Sequence, residues 1–144
     1  METIRTVFKI GYGPSSSHTM GPARAAESFK ERARAGRYEV TLYGSLAATG
    51  KGHLTDEALR KVLGPEVRFE WKPEVVLPGH PNALKLEAFD GAGRTVLSET
   101  WFSVGGGEVT RTPGVWSAES RYDLGRMDGI LAWCRDDGRN LWEY

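Results

Sequence analysis

The sequence predicts an α/β (α+β) fold, a mixed β-sheet packed with helices. Three observations predict it. Short alternating runs rich in valine, tyrosine and tryptophan are interleaved with segments of helical period. Their order, β-α-β-α-β-β-β-α, lays helices on a sheet whose strands run both ways. A length of 144 residues suits one domain over 1–144. A chain of that size buries roughly 70% of its unfolded surface, enough for a core without disulfides.

The elements follow in chain order. Thr6 to Ile10 is a short β-rich run, and Gly11 to Thr19 reads as loop. From Pro22 the pattern becomes helical, with Ala25, Ala26, Phe29 and Ala33 on one side. Pro22 fits a first helical turn and Gly36 an end. Tyr38 to Tyr43 alternates as a strand, and a short helix is expected through Ser45 to Ala48. Thr55 is the expected N-cap of a second long helix, with Asp56 and Glu57 in the first turn and Gly64-Pro65 as its stop. Val67 to Trp71 is a strand, and Glu74 to Leu77 an edge strand. Leu84 to Asp90 and Thr95 to Val104 form a hairpin around Gly91-Ala92-Gly93. Glu108 to Thr112 adds a strand, and Asp123 to Asp137 a helix with Leu124, Met127, Ile130, Leu131 and Cys134 on one stripe.

Composition excludes several classes. At 40% hydrophobic and 26% charged residues, the chain is not wholly disordered. Nineteen basic residues balance nineteen acidic ones, against the basic excess of a nucleic-acid binder. Residues 1–10 lack an apolar signal core, and no run approaches a membrane span of ~20 residues. A cytoplasmic protein is expected. The single cysteine, Cys134, cannot provide the three or four thiolates of an iron–sulfur or thiolate metal site. No metal site is expected in this chain, and Cys134 reads as a buried, inert thiol.

The chemistry concentrates in loops. The 18 glycines exceed the usual share of roughly 7% and gather near the three histidines. A lone loop histidine is most often a solvated surface residue. Here all three, His18 in SSSHT, His53 in TGKGH and His80 in PGHPN, sit in small-residue polar loops. Ser15, Ser16, Ser17 and Thr19 precede a helix whose free N–H groups favour an anion. A plain serine-capped helix start is the simpler reading of that segment alone. Lys51 and His53 precede a second helix, and His80 and Asn82 share a rigid turn. Gly105 to Gly107 at a strand end imply a bulge or a close backbone contact.

Taken together, GYGPSSSHTMGP, GSLAATGKGHLTD, HPN and SVGGG in this order resemble the β chain, or N-terminal domain, of the iron–sulfur-dependent L-serine dehydratases. The resemblance runs from about Lys9 to Gly107. Leu54 stands where that family usually has glycine. The resemblance implies a domain like the allosteric substrate-binding domain of phosphoglycerate dehydrogenase. It implies L-serine ammonia-lyase activity, giving pyruvate and ammonia, in an oligomer with an alpha chain whose cysteines hold a [4Fe–4S] cluster. This chain would bind no cofactor and be inactive alone. Ser15, Ser16, Ser17 and Thr19 would hold the substrate carboxylate. Lys51, His80 and Asn82 would complete the polar wall. His53 would be the general base, with His18 the second choice. The alternative is a non-catalytic module that senses serine or a small anion and regulates a serine-pathway enzyme.

Overall fold

The computed structural model describes residues 8–33, 35–112, 123–124 and 126–144. Two compact units emerge, Lys9–Trp116 and a second made of Met1–Phe8 with Ser117–Tyr144. The first carries the sheet. Its strands are β1 (Arg37–Tyr43), β2 (Arg68–Lys72), β3 (Ala83–Phe89), β4 (Thr95–Gly105) and β5 (Glu108–Thr110), and its helices are α1 (Gly21–Arg32), α2 (Gly44–Thr49) and α3 (Thr55–Leu63). The sheet order is β2-β1-β3-β4-β5. Only β1 and β2 pair in parallel, because α2 and α3 form the crossover between them; β1–β3, β3–β4 and β4–β5 are antiparallel. The mixed α+β sheet is as expected.

Register sets the core. The pairs Tyr38–Ala88, Val40–Leu86 and Leu42–Leu84 put six apolar residues on one sheet face, and all six are buried. Ala25, Ala26 and Phe29 of α1, Leu46 of α2 and Leu59 of α3 pack with them, each at 0% exposure. Burying a leucine or phenylalanine side chain contributes roughly 1.5–3 kcal/mol, so this single cluster holds the helices to the sheet. The opposite face is polar, with Lys85–Glu87 and Lys72–Glu70 ion pairs.

Three expected elements differ. Residues 8–10 of the run Thr6 to Ile10 are not strand, and Thr6 and Val7 lie outside the described residues. Glu74 to Leu77 does not pair; the Val75 N–H turns back to the Lys72 carbonyl at 3.2 Å instead. Prolines at 73 and 78 bracket this segment and deprive it of ladder donors. Finally, the loop expected at Ser15 to Thr19 is helical: a π-helical turn, Ser16–Met20, leads directly into α1. Gly105, which ends β4, and Gly106 and Gly107 after it all have positive φ and turn the chain into β5 past a register shift.

In the second unit, α4 (Met127–Asp136) starts later than the expected Asp123, and Cys134 on it is a free, buried thiol. A capping box between Asn140 and Glu143 closes the turn Leu141–Glu143. Among the described residues, no helix is long and apolar enough to cross a membrane.

Candidate functional site

The end of β1, the start of β3 and the end of β4 share one edge, because Leu42 pairs with Leu84 and Ala83 with Phe102. The connections leaving that edge therefore meet. The Ser45 N–H donates to the Pro81 carbonyl at 3.1 Å, and the Ser103 N–H to the Asn82 carbonyl at 2.9 Å. Gly44, with φ 49°, is required here, since a Cβ would lie 2.6 Å from the Pro81 carbonyl oxygen. The HPN turn is thus seated on the start of α2.

Pro22 explains the π-helical turn and what surrounds it. It lacks an N–H, so the carbonyls four and five residues earlier, His18 and Ser17, each lack one possible helical donor. Side-chain hydroxyls from distant elements take the place. Thr55 Oγ1 of α3 donates to the His18 carbonyl at 2.5 Å, and Ser103 Oγ of β4 to the Ser17 carbonyl at 2.7 Å. Thr55 was expected as an N-cap. Instead Leu54 occupies the cap position in the left-handed region, φ 56°, and the Thr55 hydroxyl leaves its own helix.

The exchange is reciprocal. Thr19 Oγ1 donates to the His53 carbonyl at 2.6 Å. Each threonine holds the carbonyl of the other loop's histidine, and both threonines are fully buried. The result is a pair of imidazoles, His18 and His53, with ring centroids 4.8 Å apart. On His18, Nδ1 meets Ser17 Oγ at 2.9 Å and Nε2 meets Ser45 Oγ at 3.0 Å. On His53, Nδ1 lies 3.0 Å from the Thr49 carbonyl. A carbonyl only accepts, so Nδ1 of His53 carries the hydrogen and Nε2 of the neutral ring keeps a lone pair. Burial lowers the pKa of His18, His53 lowers it further, and a backbone hydrogen bond to Ser45 opposes them. His18 is therefore biased to the neutral form near pH 7.

The other expected site residues take varied places. Ser15 Oγ accepts the His18 N–H at 3.1 Å and caps the turn, while Ser16 is exposed at its start. Thr19 lies inside the wall, its one proton committed to His53. Lys51 directs its ammonium over the Trp71 ring, 5.6 Å from the centroid. His80 Nδ1 accepts the Asn82 N–H at 3.1 Å, an interaction internal to its turn. The structure thus joins His18 and His53 directly to Ser15, Ser17 and Thr19, and brings the HPN turn in through the Pro81 and Asn82 carbonyls, with His80 bonded only within that turn. Ser45 and Ser103 were not singled out from sequence. A proline after SSSHT was the available signal, since it predicts carbonyls in search of hydroxyls.

An open groove of about 1140 Å³ lies elsewhere, between the end of α1 and the end of α3, lined by Lys30, Arg37, Val62 and Glu66. Volume alone does not make a site; converging polar groups do, and these converge at the histidines. There, two imidazoles, several hydroxyls and the positive end of a helix can hold a small polar or zwitterionic molecule and exchange a proton with it. The thiolate set of an iron–sulfur cluster does not fit this chain, which has one cysteine, on α4. Among the described residues, no group of three metal-ligating side chains occurs.

Comparison with known proteins gives consistent results. The family model for the serine dehydratase beta chain matches residues 3–66 and 61–113. The chain is similar to the L-serine dehydratase of Helicobacter pylori, 36% identical over 147 aligned positions that cover 74% of this chain and 32% of that protein. For L-serine dehydratase of Streptomyces coelicolor the values are 36% over 189 positions, 96% and 42%. For L-serine dehydratase of Mycobacterium tuberculosis they are 37% over 151, 74% and 32%. The chain spans about a third to two fifths of the length of these relatives.

Proposed function

The chain belongs to the serine dehydratase beta-chain family, and from that premise we propose that it supplies one wall of the substrate pocket of an L-serine dehydratase. The observation that carries the proposal is the His18–His53 pair, 4.8 Å apart, held at a helix N-terminus by crossed threonine bonds. The reaction is the elimination of L-serine to pyruvate and ammonia. The α proton goes to a base, the β-hydroxyl leaves, and the resulting aminoacrylate hydrolyses.

The residues of this chain divide that work. The Ser16 and Ser17 N–H groups begin the π-helical turn and suit the substrate carboxylate. His53 is the general base, because its Nδ1 hydrogen is held by the Thr49 carbonyl and its Nε2 lone pair is left for the α proton. The buried Thr19 and Thr55 hold both histidines and exclude water from their backbone. A [4Fe–4S] cluster acts as a Lewis acid in this chemistry. It belongs with the cysteines of an alpha chain, and no step on this chain runs through it.

The test is anaerobic co-purification with the alpha partner and an assay of serine conversion to pyruvate. Turnover by the complex is expected. Complex formation with no pyruvate would leave a serine-sensing regulatory module as the better reading.

A further inference from the structure

Successive N–H groups close the π-helical turn in order. The Met20 N–H donates to the Ser15 carbonyl at 3.1 Å, and the Gly21 N–H to the Ser16 carbonyl. The next donor in that series belongs to residue 22, which is proline and has none. The Ser17 carbonyl is the group left over, and Ser103 Oγ reaches it from β4 at 2.7 Å. At the other end of the same peptide, the His18 N–H is held by Ser15 Oγ at 3.1 Å. The peptide that joins Ser17 to His18 is thus held at both ends by side chains.

Resting on the serine-site reading above, we propose that Ser103 is a positioning residue for substrate binding: it fixes the Ser17–His18 peptide, and through it the place of the Ser17 N–H and the His18 ring. Three observations carry this. Ser103 is fully buried and its hydroxyl has one proton, which goes to the Ser17 carbonyl. The start of α1 leaves room for that hydroxyl, since a Cβ on Gly21 would stand 2.2 Å from Ser103 Oγ. Ser103 also ties the turn to the sheet. Its N–H donates to the Asn82 carbonyl at 2.9 Å, beside the Ser45 N–H on the Pro81 carbonyl at 3.1 Å, and the Ser45 hydroxyl meets His18 Nε2 at 3.0 Å. Two serines from different elements therefore bridge successive residues of the HPN turn to Ser17 and His18. The HPN turn leads straight into β3, which has a neighbour on each side. The anion-facing turn is thus placed by the interior of the sheet. His53 is held separately, by Thr19, so loss of the Ser103 hydroxyl loosens the carboxylate cradle and spares the base.

Amide hydrogen exchange of the full chain, with serine kinetics of its complex with the alpha chain, tests this. The wild-type His18 N–H is expected to exchange slowly. In Ser103→Ala it should exchange about tenfold faster or more, as the peptide opens locally, with the β3 amides unchanged. In the complex, Ser103→Ala should raise KM for serine by about 10–10²-fold, the scale of a lost hydrogen bond to a charged group, and leave kcat within about threefold. Gly21→Ala/Ser103→Ala separates placement from packing. Its new methyl group lies where the hydroxyl was, 3.1 Å from the Cβ of residue 103, and fills the space without making the bond. KM should stay raised and His18 exchange fast. A double variant with wild-type KM shows that filling the space suffices and overturns the proposal. So does a folded Ser103→Ala with wild-type KM or wild-type His18 exchange. A wild-type His18 N–H that exchanges as fast as an unstructured amide overturns it whether or not either variant folds. A wild-type complex that never turns over serine defeats the dehydratase reading, while His18 exchange still judges Ser103.

Discussion

Leu54 adopts a left-handed conformation, φ 56°, the one non-glycine residue with positive φ among those described. An L-residue there is strained by roughly 1–2 kcal/mol. Both Leu54→Ala and Leu54→Gly remove the half-buried side chain, but only glycine removes the strain. Leu54→Gly should be about 1 kcal/mol more stable than Leu54→Ala in urea denaturation; equal midpoints would show that the loop relaxes another way. For His53, loss of a general base predicts a fall in turnover of about 10²–10⁴-fold in His53→Ala, with a smaller change in apparent serine affinity. If His18→Ala loses turnover and His53→Ala keeps it, the two exchange roles. His18 also predicts a pH effect. Its folded pKa is lowered, chiefly by burial, below the roughly 6.5 of an unfolded histidine. As pH falls, the unfolded chain takes up the proton first. The stability linked to this ring is complete above about pH 6.5 and is lost as pH drops through the lower folded value. His18→Gln should flatten that limb of the stability profile, which urea midpoints at a series of pH values would reveal.

At the scale of elements, Pro22 and Thr55 act together. Thr55→Val keeps the shape but leaves the His18 carbonyl short of its hydroxyl donor, which costs about 1–3 kcal/mol in a buried site. Pro22→Ala returns an N–H to the helix, and that N–H can reach the same carbonyl. The cost of Thr55→Val should therefore shrink in the Pro22→Ala background, a coupling that a double-mutant cycle measures. Additive costs would mean that the helix and the threonine do not compete. The same pair shows where sequence reading stopped. Pro22 was legible as a first-turn proline, and α3 was legible from its period and its acids. The hydroxyl of Thr55 was assigned to its own helix, the commonest use of a threonine at that place. Nothing local in the sequence states that an unfilled carbonyl lies next to it across the fold. The edge strand at Glu74 to Leu77 failed for a related reason. Apolar composition says that a segment can pair, and only the sheet says whether a neighbour exists.

For the molecule as a whole, the mixed sheet, the β3–β4 hairpin and the core positions of α1 and β1 were readable because period and register speak directly to burial. His18 and His53 were readable as candidates, but their meeting was not, since it depends on the crossover between β1 and β2. The purified chain alone should be colourless and inert toward serine, because one thiolate cannot hold a cluster. Iron–sulfur absorbance in the lone chain would refute this. The bonds that tie the histidines also have long reach along the chain. They join residues 27 apart at Ser45, 34 and 37 apart at the two threonines, and 86 apart at Ser103. Contacts between sequence-distant residues pay their loop-closure entropy late in folding, whereas a hairpin such as β3–β4 closes early. A newly made chain will therefore close the β3–β4 hairpin before Ser103 of β4 reaches the Ser17 carbonyl. While it waits, the serine-rich segment is an untethered strand of backbone, open to proteases and chaperones until β4 is in place.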